Sequence, residues 1–227
     1  MKQLIRHIPL FSGLSEHELD ALAAIAITRK VNKNNMIVQE GDRGDSLFII
    51  VEGGVKISTC SYDGREVVLS LLEPGSFFGE MALLDQQPRS ANVTALEATT
   101  ILQIQRKHIE HLLLELPSLT LKLLTEVVER LRRTSQVLER ISSMDVPHRL
   151  YSYLEDYCHR FGTQDGNDCI VRLPTHQLIA DQLSTSRETI SRAMSSLKKE
   201  DIIQTTGNSR EVCVDMEAIE TLLQAMQ

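Results

Sequence analysis

From Leu119 to Met144 the chain contains neither glycine nor proline, with Pro117 just before the stretch and Pro147 just after it. Nothing inside it stops a helix, so one long helix is predicted past Pro117. Leu124, Val127, Leu131, Thr134, Leu138 and Ile141 recur at alternating steps of three and four, the a/d spacing of a coiled coil. A lone helix with such a seam needs a cover. Either it lies on its own domain or it pairs with a second copy, and a parallel homodimer is the economical solution. Asp145-Val146-Pro147 ends the run, because a residue before proline disfavours helical geometry. A hinge and domain boundary are therefore expected at Asp145.

The chain before this helix has a different rhythm. Residues 4 to 27 read as helix, with Ser15 as cap, Glu18 three positions on as its capping-box partner, and Leu19, Leu22, Ala23 and Ile25 at helical spacing. From Arg29 the pattern changes to short apolar runs broken by turn residues. Met36–Val38, Ser46–Val51, Val55–Ser58, Val67–Leu72, Asn92–Ala95 and Thr99–Gln105 are the predicted strands, with a turn at Tyr62-Asp63-Gly64. Strands this short and this regularly punctuated predict an antiparallel sandwich or barrel. The glycines of QEGDRGDSLFIIVEGGVKI read as tight corners needing positive φ.

Within that half, Gly75 to Val93 (GSFFGEMALLDQQPRSANV) carries the most chemistry. A glycine-glutamate pair precedes a short apolar turn, and a polar break ends in Pro88-Arg89-Ser90-Ala91. One helical turn here presents free N–H groups to an anion. Arg89 is a fork-shaped phosphate donor, and Glu80 is an acceptor for a hydroxyl. An anion beside a sugar hydroxyl is a phosphorylated ribose. The plain alternative is a loop with a stray arginine and a surface glutamate.

After the hinge, Arg149 to Phe161 reads as helix, Gly162 to Asp168 as a polar loop, and Cys169 to Leu173 as a strand. Two helices follow, at about Thr175–Leu183 and Arg187–Glu200, joined by Ser184-Thr185-Ser186 at helix-turn-helix spacing. Ala180 is the small residue at the crossing, with Leu178, Ile179, Leu183, Ile190, Met194 and Leu197 as the apolar side. Thr185 or Ser186 caps the second helix. Arg187, Glu188, Ser191 and Arg192 face away from that core, on the turns a recognition helix offers to base edges. A wing is expected from Ile202-Ile203 through Thr206-Gly207-Asn208 to Val212-Cys213-Val214. Ser184 occupies a place where this motif often has glycine, which implies backbone strain or an altered turn.

Composition sets the limits. A formal charge of −7 argues against a general basic footprint for nucleic acid, so any DNA contact must be local. Even from Thr175 to Arg210 five basic residues face four acidic ones. No apolar run approaches the ~20 residues of a membrane span. Cys60, Cys158, Cys169 and Cys213 are scattered, which favours free thiols in a reducing cytoplasm over a disulfide frame or a metal site.

The order FGE, apolar, Ala82-Leu83, then Pro88-Arg89-Ser90-Ala91 resembles the phosphate-binding cassette of cyclic-nucleotide-binding domains. With RLRRTSQV on the long helix, then Met144-Asp145-Val146, Arg149 and TSRETISR, nearly the whole chain resembles the Crp/Fnr family of transcription regulators, its cyclic AMP-responsive members above all. The resemblance implies an α+β chain: a cyclic-nucleotide-binding β-sandwich (jelly roll) over 1–116, a dimerisation helix and hinge over 117–145, and a winged helix-turn-helix over 146–227. It implies that Gly79, Glu80, Met81, Ala82, Arg89 and Ser90 hold the ribose and cyclic phosphate of cyclic AMP, an allosteric effector. Thr134 and, from the partner subunit, Ser135 would hold the adenine; Thr134 bonding its own backbone or fixing the register of the seam is the alternative.

By the same resemblance Thr175, Ser186, Arg187, Glu188, Ser191 and Arg192 contact double-stranded DNA, with Arg187, Glu188 and Arg192 reading a GTGA-like half-site of a TGTGA/TCACA palindrome. A cytoplasmic homodimer that meets RNA polymerase, with no metal and no membrane attachment, completes the implied picture. One rival is a regulator of the same family that answers to another nucleotide, to haem or to no effector. Sensing by an iron–sulfur cluster is disfavoured because no cysteine precedes Cys60. The other rival is an enzyme such as a cyclic-nucleotide hydrolase. It is disfavoured because the sequence shows no metal-ligand cluster and no nucleophile–base pair, and the nearest histidines, His108 and His111, lie outside the cassette.

Overall fold

A computed structural model describes residues 2–6, 8–62, 64, 66–206 and 211–226, the side chain of Leu4 excepted. The chain forms two compact units, residues 1–131 and 132–227.

The first unit opens with α1 (Lys2–Arg6), a 3-10 turn at Pro9–Phe11 and α2 (Glu16–Ile25). The single helix expected over 4–27 is therefore broken. Pro9 has no N–H for a continuing helix, Gly13 sits at φ +91°, and the chain is already extended from Ile27 as β1 (Ile27–Val31). The expected capping box is present. Ser15 Oγ accepts from the Glu18 N–H at 3.3 Å, and Glu18 Oε2 accepts from the Ser15 N–H at 2.6 Å.

Then come β2 (Met36–Val38), β3 (Ser46–Glu52), β4 (Val55–Cys60), β5 (Glu66–Leu72), β6 (Phe77–Phe78), β7 (Asn92–Ala95) and β8 (Thr99–Gln105). They build two antiparallel four-stranded sheets, ordered β1-β8-β3-β6 and β2-β7-β4-β5. The turn predicted at Tyr62-Asp63-Gly64 is closed by the Gly64 N–H on the Ser61 carbonyl at 2.9 Å, with Asp63 itself outside the described residues. β1 and β6 were not anticipated as strands.

β3 and β8 are buried on both faces, which explains why SLFIIV shows no alternation. Leu47 and Ile49 pair with Ile104 and Leu102 and join Phe11, Leu22 and Ile109 in a core under the helices. Phe48, Ile50 and Ile101 point the other way, into a core between the sheets with Val55, Val93 and Phe78. Phe48 and Phe78 stack with ring centroids 5.0 Å apart.

α3 (Glu80–Asp85) lies between β6 and β7, and α4 (Arg106–Glu115) follows β8. α5 (Pro117–Ser143) is the long helix. Its first turns lie on their own unit, where Leu119 and Leu123 are buried and Val127 packs against the same core. Val127 thus leaves the seam predicted for it and turns inward. Leu124, Leu131, Leu138 and Ile141 remain exposed, at 49%, 65%, 69% and 41%.

The second unit takes the end of α5 into α6 (Val146–Phe161), whose first N–H groups Asp145 caps by accepting from the His148 N–H at 3.0 Å. Across that bend Arg140 Nη1 meets Asp156 Oδ2 at 2.5 Å. β9 (Thr163–Asp165) occupies part of the predicted loop and pairs with β10 (Asp168–Arg172). Cys158 and Cys169 are buried, and burial pushes the Cys158 thiol well above its ordinary range. α7 (His176–Gln182), α8 (Arg187–Lys199), β11 (Ile203–Thr205), β12 (Glu211–Asp215) and the unanticipated α9 (Met216–Ala225) complete the unit, with sheet order β11-β12-β10-β9. The wing strands are present, while Gly207, Asn208 and Arg210 lie outside the described residues.

Ser184, in the turn between α7 and α8, has φ +51°, so the strain expected there is real. A non-glycine residue in this region costs roughly 1–2 kcal/mol, and glycine gives back roughly 0.5–1 kcal/mol through the unfolded chain. Ser184→Gly is accordingly expected to stabilise the second unit by about 0.5–1 kcal/mol. Thermal unfolding followed by circular dichroism checks this, with a rise in midpoint of about 2–5 °C expected.

Candidate functional site

The cassette is built on one turn of backbone. β6 delivers the chain to Gly79, whose φ of +85° redirects it into α3. A side chain there fails on two counts, since L residues resist that angle and a Cβ would lie 2.5 Å from Arg89 Nη1 and 3.0 Å from the Ser46 carbonyl. The Arg89 backbone is anchored at the Gly41–Asp42 corner. Its N–H donates to the Asp42 carbonyl at 2.8 Å, and its own carbonyl accepts from the Gly41 N–H at 2.9 Å.

Arg89 is only 7% exposed. Nη1 donates to the Gly79 carbonyl and Nη2 to the Ser46 carbonyl, both at 2.8 Å, and the guanidinium lies 5.5 Å from the centre of the Phe48 ring. Burial lowers its pKa, while Asp45 and Glu80 nearby work to raise it. An arginine so placed stays charged, and among the described residues it forms no ion pair. Gly44 makes room for it. A Cβ at residue 44 would stand 2.5 Å from Ala82 Cβ and 2.7 Å from Arg89 Nε. Gly41 and Gly53 have the positive φ expected of corners, but Gly44 and Gly54 do not, and Gly44 is glycine for space.

Glu80 is buried too, and it is not the idle acceptor the sequence suggests. Its Oε1 accepts from Arg130 Nη1 at 3.2 Å. Arg130, on α5, also donates through Nη2 to the Phe77 carbonyl at 2.7 Å and sits 4.5 Å from the centre of the Phe77 ring. Arg106 clamps the other side of α3, with Nη2 on the Gly44 and Ala82 carbonyls at 2.6 and 2.7 Å and Nη1 on the Leu83 carbonyl at 3.1 Å.

Gly79, Glu80, Ala82 and Arg89 therefore converge, while Met81 and Ser90 are exposed, with Ser90 Oγ 3.5 Å from Met81 Sδ. Thr134 and Ser135 are exposed on α5, and Thr134 follows Arg130 by one helical turn. That i,i+4 relation was the signal by which Arg130 could have been found. Gly44 and Arg106 carried none that separates them from ordinary turn and surface residues.

In the second unit the two helices are fixed by side-chain caps. Thr175 Oγ1 accepts from the Leu178 N–H at 3.3 Å, and Ser186, rather than Thr185, caps α8 by accepting from the Thr189 N–H at 3.1 Å. Ala180 is fully buried at the crossing, with Ile179, Ile190, Met194 and Leu197 around it. Arg187, Glu188 and Arg192 are exposed and Ser191 is half-buried. Glu188 is held below the usual carboxylate range by its own backbone N–H first, then by Ser186 and by the flanking Arg187 and Arg192. The opening turns of α8 thus offer two guanidinium forks and one carboxylate, donors and an acceptor suited to base edges.

The packing around Arg89 makes a specific prediction. Gly44→Ala is expected to destabilise the first unit by about 1–3 kcal/mol, since two Cβ atoms cannot stand 2.5 Å apart. Adding Ala82→Gly removes one of them. A double-mutant cycle by chemical denaturation should show the pair less destabilised than the sum of the singles, with a coupling of at least about 1 kcal/mol.

Comparison with known proteins matches these two regions to two families. Residues 28–115 match the cyclic nucleotide-binding domain, and residues 148–222 the Crp-like helix-turn-helix domain. The chain is 30% identical over 213 residues to a CRP-like cAMP-activated global transcriptional regulator of Mycobacterium tuberculosis, covering 92% of this chain and 94% of that one. It is 31% identical over 205 residues to the cyclic AMP receptor protein of Thermus thermophilus, covering 90% and 92%. Among solved structures, a CooA mutant from Carboxydothermus hydrogenoformans superposes with a TM-score of 0.77 at 20% identity, over 89% of this chain and 90% of that one, which speaks to the fold. With both domains matched in order and the likeness to relatives running nearly end to end, the chain belongs to the Crp/Fnr family of DNA-binding transcription regulators.

Proposed function

We propose that this regulator is switched by cyclic AMP and binds a palindromic TGTGA/TCACA-like site as a homodimer. The observation that carries the reading is the convergence of buried Arg89 and buried Glu80 on Gly79, with Arg130 tying Glu80 to α5. Cyclic AMP supplies a phosphate anion, a ribose hydroxyl and an adenine edge. The residues fit such a group. Arg89 is a buried cation served by two neutral carbonyls, and a phosphate oxygen is a stronger acceptor than either. Glu80 has one oxygen on Arg130 and the other for a hydroxyl. Gly79, Met81, Ala82 and Ser90 complete the cassette, and Thr134 with Ser135 of the partner subunit holds the base.

The dimer reading rests on the exposed stripe of α5. Removing the exposed parts of Leu124, Leu131, Leu138 and Ile141 from water contributes on the order of 3–6 kcal/mol per protomer. The three functional segments are then the effector domain 1–116, the dimer helix and hinge 117–145 and the DNA-binding domain 146–227, with Asp145 as the hinge. Thr175, Ser186, Arg187, Glu188, Ser191 and Arg192 meet the duplex, and two recognition helices serve half-sites about 34 Å apart. Such a switch works through different effector affinities of its two settings, and by no other route. The protein acts by binding rather than catalysis, in the cytoplasm and through contact with RNA polymerase.

Arg89→Leu tests the reading. It leaves two buried carbonyls short of donors, a cost of about 1–3 kcal/mol that a folded dimer tolerates. Isothermal titration is expected to show no cyclic AMP binding, and gel-shift titration no ligand-dependent DNA binding. A normal calorimetric isotherm for the variant refutes the assignment of Arg89.

A further inference from the structure

In the second unit a cleft of about 520 Å³ opens between α7 and α8. Leu173, Met194 and Val212 form its apolar floor, and His176, Arg187 and Lys198 stand around it. No carboxylate lines this cleft among the described residues, although the whole chain carries a formal charge of −7. Arg187 and Lys198 are about three turns of α8 apart and so share one face. Neither is in an ion pair among the described residues. Glu188 flanks Arg187 from outside the lining, while the charged groups of the lining itself are cationic, which suits an anion.

The ring of His176 is half-buried. Burial first, then Lys198 and Arg187, lower its pKa. The other groups lining the cleft, Thr175, Gln177 and Pro174 from the segment leading into α7 and Val212 from β12, carry no charge. His176 is therefore held neutral by its surroundings, and an anion in the cleft reverses that bias.

We propose that this cleft seats a phosphate group of the bound duplex, with Lys198 and protonated His176 as its cations beside Arg187, so that DNA affinity rises on acidification. The inference rests on α8 being the recognition helix. The sign follows from linkage. His176 has a depressed pKa in the free protein and a raised one beside a phosphate, so the complex binds more protons than its parts, and affinity climbs as pH falls between the two values. A contact of this kind carries no sequence information; it positions the helix.

The full-length protein, with cyclic AMP present, is titrated by fluorescence anisotropy onto a TGTGA/TCACA duplex and onto a scrambled one. Titrations are run at about pH 7.5 and about pH 6 over a range of salt. Wild type is expected to bind about three- to tenfold tighter at the lower pH, on both duplexes. His176→Gln should lose that gain, and His176→Arg should hold the tight value at both pH values. Lys198→Gln should flatten the dependence of log K on log salt by about one per cleft. Circular dichroism confirms that each variant is folded.

Inorganic phosphate exchanged for chloride at constant ionic strength separates the sources. Competition that Lys198→Gln abolishes means the cleft takes free phosphate as well, and no competition assigns the seat to the duplex backbone alone. An unchanged pH dependence in His176→Gln, or a wild-type salt slope in Lys198→Gln, overturns the proposal. A wild-type protein that binds neither duplex at either pH instead removes the DNA-binding reading of α8 on which it stands.

Discussion

A guanidinium taken out of water must be given acceptors and room, and the first unit is arranged to meet that demand at Arg89. The acceptors are backbone carbonyls of Gly79 and Ser46, so a turn of chain from β6 and the first residue of β3 are committed to it. The room comes from two glycines, one with a left-handed backbone and one without. Asp45 and Glu80 supply compensating field rather than contact. A cation held in this way is poised for an anion, because its present partners are neutral and its solvation has already been given up.

The consequence of that first arginine is carried outward by a second. Arg130 reaches from α5 to Glu80 and to the Phe77 carbonyl, so the acidic member of the cassette and the long helix share one hydrogen-bonding group. The helix also divides its labour along its length: Leu119, Leu123 and Val127 face the unit they belong to, while Leu131, Leu138 and Ile141 face outward. A strict seam is thereby traded for an intramolecular anchor over the first turns.

Much of this was legible in the residues. The capping box at Ser15, the helix-turn-helix and the strain at Ser184 follow from local rules about turns, caps and spacing, and the structure agrees with each. What escaped depends on contacts distant in sequence. Arg130 pairs with a residue 50 positions away, and Arg106 grips a carbonyl 62 positions away. Gly44 is explained only once Ala82 and Arg89 are seen beside it. The two-residue β6 is too short for any period to register, and α2 ends before Ile27 because tertiary pairing with β8 overrides a helical pattern.

The ion pair between Arg140 and Asp156 spans the bend where α5 gives way to α6, and its side chains are 22% and 51% exposed. A pair so open to solvent contributes about 1 kcal/mol or less. Since about 1.4 kcal/mol changes an equilibrium tenfold, this brace prefers one angle of the joint without enforcing it. Electrolyte weakens the contribution of this pair further.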